Sequence, residues 1–304
     1  MNPWKAPLEQ IALDLQSLEE RGQVAQYIPE LACISDQHYG IYLCDTSGNH
    51  VALGGAETPF SIQSISKVFA LVKVYGILGD QLWERVGIEP SGNPFNHLSL
   101  LEQEKGIPRN PLLNAGAIVV CDILLDILEN PLEEMLAFIK HLGCSGPVEV
   151  NKKVAESERK TGFNNFAAAY LMKSFDNLKH PVEDVLDLYF HLCAIEMNCR
   201  QLAQTFYVFT NEGRCINNNQ HLTISQTKRL NAIMMMCGFY DEAGDFAYEV
   251  GLPGKSGVGG GIAAVLPGKY SIACWSPGLN PKGNSLLAME TLKRFTTATE
   301  HSIF

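Results

Sequence analysis

Strand-like patterns occupy both ends of this 304-residue chain, and helical patterns fill its middle. Near the N-terminus, residues 39–44 and a run that begins at Val51 predict a β-hairpin, whose turn is formed by residues 45–48. From about Ser61 to Gly238, apolar residues instead recur at the spacing of amphipathic helices. This order suggests that both ends of the chain contribute to one α/β unit, which surrounds a helical middle.

The C-terminal part returns to strands. We predict strands at residues 248–250, 257–266 and 270–275, and helices at residues 8–21 and 284–295. These patterns indicate an α+β fold in which residues 1–60 and 245–304 form one discontinuous α/β sandwich. An α-helical domain of residues 61–244 would be inserted into it, with a ligand cleft at the junction.

The charge balance excludes two classes of partner. The formal net charge is −10, and no basic run offsets it, so neither nucleic acid nor an anionic membrane is an expected partner. We find no signal-peptide pattern and no apolar run of about 20 residues that would span a bilayer. The nine cysteines lack a C-x-x-C pair and suggest free thiols, so a cytoplasmic protein is expected.

Three Ser-x-x-Lys matches are candidates for a serine nucleophile with its base: Ser64/Lys67, Ser157/Lys160 and Ser225/Lys228. Ser157 lies in a polar run that predicts a solvated surface, and Ser225 follows Thr223, a plausible helix N-cap. Ser64 is different, because apolar residues follow it at helical spacing and Ser61 could cap that helix. Its helix would then be buried on one side, with its N-terminus near the predicted junction.

The chemistry fits this arrangement. A serine hydroxyl needs a base to become a good nucleophile, and a lysine three residues further along shares its helix face. Lysine acts as a base only when it is neutral, which burial and the positive helix end would favour. A helix cap beside a lysine that reaches into solvent explains the same residues equally well.

A glycine-rich stretch follows in the C-terminal part. Residues 254–257 read Gly-Lys-Ser-Gly, but Glu249 stands where a phosphate-binding loop needs its first glycine. A Lys-Ser-Gly sequence that opens a strand is instead typical of serine acyl-transfer enzymes, where it faces the Ser-x-x-Lys helix. A glycine-rich hairpin is the simpler alternative. The eight histidines show no metal-ligand spacing, so we expect surface or core roles for them and no metal site.

Several separated motifs together resemble the serine-dependent glutaminases, which share the β-lactamase/penicillin-binding fold. The resemblance covers nearly the whole chain. The motifs are YIPEL at 27–31, PFSIQSISK at 59–67, PRNPLLNAGA at 108–117, ERKTGFNN at 158–165, DLYF at 187–190, CGFY at 237–240 and PGKSGVGGG at 253–261.

The resemblance implies hydrolysis of L-glutamine to L-glutamate and ammonia through a γ-glutamyl-serine ester, in a homotetramer. It implies that Ser64 is the nucleophile and Lys67 the base, and that Tyr27 and Tyr240 relay protons or orient the leaving ammonia. It also implies that neither a metal nor an organic cofactor is needed. Substrate-binding positions would be Asn114, Glu158, Asn165 and Tyr189, and the backbone N–H groups of Ser64 and Val258 would hold the oxyanion.

Other interpretations of these residues remain open at this point. Asn114 and Asn165 could cap helices, Glu158 could be a solvated acid, and Tyr189 could be a core aromatic. A penicillin-binding or β-lactamase-type acyl transferase would use the same serine and lysine, although the Ser-Asp-Asn motif of those enzymes is missing. A catalytically inactive amino-acid-binding protein is the third alternative.

Overall fold

The computed structural model describes residues 2–91, 98–143 and 145–304. The helices are α1 Lys5–Gln16, α2 Pro29–Ala32, α3 Ser66–Leu78, α4 Leu98–Gln103, α5 Asn114–Ile127, α6 Pro131–His141, α7 Lys152–Thr161, α8 Phe163–Ser174, α9 Val182–Cys193, α10 Cys199–Thr210, α11 Ile224–Cys237, α12 Ala243–Glu249 and α13 Leu286–Thr299. The strands are β1 Gly40–Asp45, β2 His50–Gly54, β3 Phe60–Ser61, β4 Glu149–Val150, β5 Ile195–Met197, β6 Gly254–Ser256, β7 Gly261–Leu266 and β8 Tyr270–Trp275. Turns of 3₁₀-helix occupy Gln63–Ile65, Gly79–Glu84 and Tyr240–Glu242.

The main sheet combines strands from both ends of the chain. Its five strands are antiparallel and follow the order β2-β1-β8-β7-β6, so β6 lies at one edge. The predicted hairpin and the strand at 270–275 are confirmed. The C-terminal strand thus lies beside the N-terminal one, with Ile41 opposite Cys274.

Both faces of this sheet are covered, and the side chains alternate between them. On β1 and β7, Ile41 and Ile262 face a core that contains residues of α1 and α13. Tyr42 and Ala263, one position further along, join the larger core with the inserted helices. This alternation explains why β1, β7 and β8 are buried along their whole length.

A second, three-stranded sheet was not predicted. Its order is β3-β5-β4, and each strand has only two or three residues. Strands this short carry too little periodicity to be seen in the sequence. The division into residues 1–60 with 245–304 and residues 61–244 stays a prediction. Its first boundary falls inside β3.

Four local predictions were wrong. Residues 248–250 form no strand, because α12 buries Phe246 against Phe239, with ring centroids 3.6 Å apart. Residues 257–266 are not one strand, since a turn at 257–260 separates β6 from β7. Ser61 does not cap a helix but belongs to β3, and its hydroxyl donates to the Cys193 carbonyl. Ser157 lies on the buried face of α7.

A buried carboxylate joins α5 to the loop before α9. Asp122 pairs with Arg85 at 2.5 Å and accepts hydrogen bonds from the backbone N–H groups of Lys179 and His180. Among the described residues, Asp122, Asp126 and His180 come close enough to suggest a metal site. Because Arg85 already neutralises the charge of Asp122, we interpret these three residues as part of the packing between α5 and the loop before α9, and not as a metal site. None of the described helices is long and apolar enough to cross a membrane.

Candidate active site

Ser64 lies in the 3₁₀ turn that connects β3 to α3, and it is buried. The turn begins with Gln63, whose φ of +49° is in the left-handed region that few non-glycine residues adopt. Two hydrogen bonds hold this conformation, from the Ser66 hydroxyl to the Gln63 carbonyl at 2.8 Å and from the Ile65 N–H to the Ile62 carbonyl at 3.1 Å. A strained backbone that its surroundings enforce is typical of functional sites.

Lys67 occupies the first turn of α3 and is almost completely buried. Its Nζ donates to Oδ1 of Asn114 at 2.6 Å and to the Leu112 carbonyl at 3.4 Å. Burial lowers the pKa of Lys67 to about 8, although neighbouring Cys193 and Glu158 act in the opposite direction. A substantial fraction of this lysine is therefore neutral near pH 8.

The loop before α5 is shaped by Asn110. Its Oδ1 accepts hydrogen bonds from the N–H groups of Leu112 and Leu113, both at 3.1 Å. This turn places the Leu112 carbonyl over Lys67 and starts α5 at Asn114. The side chain of Asn114 does not cap the helix, since it bonds to Lys67 and donates to Oδ1 of Asn165 at 3.1 Å. Asn165 is likewise inside α8, whose N-cap is Gly162.

Glu158 is buried on α7, so it is not a solvated acid. Its Oε1 accepts a hydrogen bond of 3.0 Å from Nε2 of Gln63. Burial raises the pKa of Glu158 to about 7, while the Gln63 hydrogen bond and the Lys67 charge oppose that shift. Tyr189 lies nearby on α9, and its ring centroid is 6.0 Å from Nζ of Lys67.

Tyr240 lies near Ser64. It starts a 3₁₀ turn with a left-handed φ of +51°, and its hydroxyl is close enough to the side chains of Ser64 and Ser256 to interact with them. Burial raises the pKa of Tyr240 to about 12, and the neighbouring Ser64 side chain lowers it in part. This phenol is therefore protonated at neutral pH and can donate or accept a proton in relay.

Val258 and the neighbours of Tyr27 in the sequence belong to one small cluster. Ala25 and Ile28, on either side of Tyr27, pack with residues of α7, and Val258 packs against the same cluster. Tyr27 itself exposes 58% of its surface, yet it lies close enough to Tyr240 and Glu158 to interact with them electrostatically.

The glycine turn 257–260 fits directly against the backbone that leads to Ser64. A Cβ on Gly259 would lie 2.1 Å from the Ser61 carbonyl oxygen, so no side chain has room there. Nε1 of Trp275 donates to the Gly259 carbonyl at 3.0 Å, and its ring stacks on Phe60 with centroids 4.8 Å apart. Val258 is therefore held beside the turn that contains Ser64, just after the end of the edge strand β6.

The predicted site residues thus come together in one region of the structure. The structure brings together Ser64, Lys67, Asn114, Glu158, Asn165, Tyr189 and Tyr240, with Tyr27 and Val258 at its border. Sequence reasoning missed two neighbours. Gln63 directly precedes Ser64 in the sequence, and this position could have indicated that it belongs to the site. Cys193 interacts with Lys67 and Tyr189, and no local pattern indicates this.

Comparisons with known proteins decide between the open alternatives. The sequence model of the glutaminase family matches residues 22–304. The chain belongs to the glutaminase family. A glutaminase of Saccharophagus degradans is 53% identical over 302 residues, which cover 99% of this chain and 98% of that protein. One of Christiangramia forsetii is 47% identical, with 98% of both chains covered.

Solved glutaminase structures have the same fold. The probable glutaminase YbaS superposes with a TM-score of 0.91 at 33% identity, covering 98% of this chain and 97% of the other. A probable glutaminase from Bacillus subtilis, in complex with 6-diazo-5-oxo-L-norleucine, gives 0.85 at 29% identity, covering 100% and 97%. The predicted β-lactamase-like fold and glutaminase function are thereby confirmed, and the penicillin-binding alternative is not favoured.

The contact at Gly259 gives a first prediction. Gly259→Ala should reduce the kcat for glutamine at least tenfold, because the Ser61 carbonyl must move and will shift the following 3₁₀ turn that contains Ser64. Gly244→Ala in α12 is the matched control, since a Cβ there meets nothing within 4 Å. Steady-state ammonia release measures both variants. Equal activity in the two would contradict the tight fit.

Proposed function

We propose that this glutaminase hydrolyses L-glutamine through a covalent γ-glutamyl ester on Ser64, with Lys67 as the general base. The observation that carries the proposal is the burial of Lys67, which lowers its pKa to about 8 three residues after a serine in a 3₁₀ turn. Side chains three residues apart lie on the same side of such a turn.

The first half-reaction makes the ester. Neutral Lys67 takes the proton of the Ser64 hydroxyl, and the oxygen attacks the γ-carboxamide carbon of glutamine. The backbone N–H groups of Ser64 and Val258 stabilise the resulting oxyanion. The proton passes to the amide nitrogen with the help of Tyr240, which lies close to Ser64, and of Tyr27, which is near Tyr240. Ammonia leaves, and a water molecule then hydrolyses the ester to glutamate.

The remaining polar groups bind the ends of the substrate. Glu158 is the carboxylate suited to the α-ammonium, and Asn114, Asn165 and Tyr189 supply neutral donors and acceptors for the α-carboxylate and α-ammonium. In the empty site, burial raises the pKa of Glu158 to about 7. A bound ammonium would favour the charged carboxylate, so substrate binding and deprotonation of Glu158 support each other.

We also propose a cytoplasmic homotetramer. Cytoplasmic location is supported by the cysteines, because the eight that fall in the described residues are all free thiols. The tetramer rests on the family resemblance.

The decisive test is the Ser64→Ala variant. Ammonia and glutamate production from L-glutamine should fall to background, because no other described side chain replaces the nucleophile. Ser225→Ala, in the surface Ser-x-x-Lys match on α11, is the control that keeps wild-type activity.

A labelling experiment identifies the reactive residue directly. 6-Diazo-5-oxo-L-norleucine should modify wild-type protein once, at Ser64, as detected by mass spectrometry. Labelling of Ser64 by penicillin without glutamine turnover would instead support an acyl transferase.

The pKa shifts give a pH prediction. Lys67 must be unprotonated to act as a base, and Glu158 must be unprotonated to bind the substrate ammonium. The value of kcat/KM should therefore rise with pH, reach half its maximum near pH 8 and fall more steeply below about pH 7.

The role of Lys67 is also tested by mutation. Lys67→Ala should lower kcat about 10²- to 10⁴-fold. Lys73→Ala, further along α3, should leave kcat unchanged. A profile that is flat from pH 6 to 9 would remove Lys67 as the base.

Recognition of the α-ammonium is tested at Glu158. Glu158→Gln preserves shape but removes the charge, so KM for glutamine should rise about 10- to 100-fold, as expected for one charge-assisted hydrogen bond. Glu156→Gln on the exposed side of α7 is the matched control and should keep the wild-type KM. If the two variants gave the same KM, Glu158 would not contact the substrate.

A further inference from the structure

Lys255 is a second buried lysine next to the site, and the mechanism above does not use it. It stands in the middle of the edge strand β6, and its side chain has no exposed surface. A lysine is almost never completely buried unless its amine is bound by specific partners. The partners of this amine lie on the turn that carries Tyr240.

Two carbonyl groups and one aromatic ring surround the amine. Nζ of Lys255 donates to the Gly238 carbonyl at 3.0 Å and to the carbonyl of Ser256 at 2.7 Å. It also lies 4.6 Å from the ring centroid of Tyr240, within the range in which an ammonium is attracted to an aromatic face. Burial lowers the pKa of Lys255, and the charge of Lys67 lowers it further. A neutral amine still has two N–H groups, so both carbonyl bonds persist in either protonation state.

The Gly238 carbonyl is the point at which this edge strand holds the turn. It accepts hydrogen bonds from Nζ of Lys255, from the Ser256 N–H at 3.2 Å and from the Ser256 hydroxyl at 3.3 Å. The turn lies so close to β6 that a Cβ on Gly238 would be 1.9 Å from the Gly254 carbonyl oxygen.

Tyr240 needs such support because of its backbone. Its φ of +51° is unfavourable for a residue with a large side chain, and such a conformation persists only where neighbouring contacts enforce it. Lys255 contacts the turn at two points, the carbonyl of Gly238 two residues before Tyr240 and the face of the Tyr240 ring. Both contacts act on the residue whose hydroxyl lies close to Ser64.

We propose that Lys255 is a positioning residue for glutamine hydrolysis, which fastens the Gly238–Tyr240 turn to β6 and holds the Tyr240 hydroxyl on Ser64. The inference rests on the role proposed above for Tyr240. It assigns Lys255 no contact with glutamine, so its effect on catalysis passes through Tyr240.

A double-mutant cycle tests this route. Lys255→Met keeps the length of the side chain but removes the amine, and it should lower kcat about 10- to 100-fold, the cost of a misplacement of roughly 1 Å. KM for glutamine should change less than about twofold, because the substrate-binding groups are untouched. In a Tyr240→Phe background, the same Lys255→Met change should lower kcat by less than about twofold.

A control variant and the double-mutant cycle together distinguish a positioning role of Lys255 from a purely structural one. Ser271→Ala removes another buried hydrogen bond from the same sheet and should change thermal stability but not kcat. Wild-type kcat in Lys255→Met, or equal losses with and without the Tyr240 hydroxyl, would overturn the inference alone. Wild-type kcat in Tyr240→Phe would overturn the role of Tyr240 first. Should Lys255→Met fail to fold, Lys255→Gln enters the same cycle. Its amide nitrogen is one bond closer to the backbone than the amine and cannot keep both carbonyl bonds and the contact with the Tyr240 ring, so kcat should again fall only where the Tyr240 hydroxyl is present.

Discussion

The close fit between the glycine turn 257–260 and the backbone of β3 is the contact on which the site depends. It brings the edge of the five-stranded sheet against the segment that ends in Ser64, with no side chain between the two backbones. The stacked rings of Phe60 and Trp275 hold the two parts together from the core. Because of this contact, Ser64, which precedes helix α3, and Val258, which follows strand β6, lie beside each other.

The site is also an unusual concentration of buried ionisable groups. Lys67 and Glu158 are both desolvated, so burial drives each toward its neutral form, while each favours the charged form of the other. Hydrogen bonds offset part of the cost of burying these groups, because Lys67 donates to Asn114 and Glu158 accepts from Gln63. The same burial that costs stability produces a lysine that can accept a proton near neutral pH.

Much of the fold was predictable because its strongest signals are local. Period-two patterns indicated β1 and β8, and helical spacing after Ser64 indicated α3. The order of separated motifs then predicted the glutaminase family. What failed depends on tertiary contacts: Ser61 pairs in β3 instead of capping a helix, and residues 248–250 follow the packing of Phe246. The position of Cys193 beside Lys67 and Tyr189 had no local signal, and the partners of Gln63 and Lys255 could be identified only in the folded chain.

The small sheet β3-β5-β4 has a consequence for motion. β3 leads into the turn of Ser64, β4 into the helix of Glu158, and β5 follows the helix of Tyr189. The strands are only two or three residues long, and hydrogen bonds at their ends extend the pairing, from the Ile62 N–H to the Ile195 carbonyl and from the Asn151 N–H to the Ala194 carbonyl, both at 2.9 Å. If this sheet opens, Ser64, Glu158 and Tyr189 separate at once. Local unfolding there would therefore switch the pocket between assembled and dispersed states as one cooperative unit.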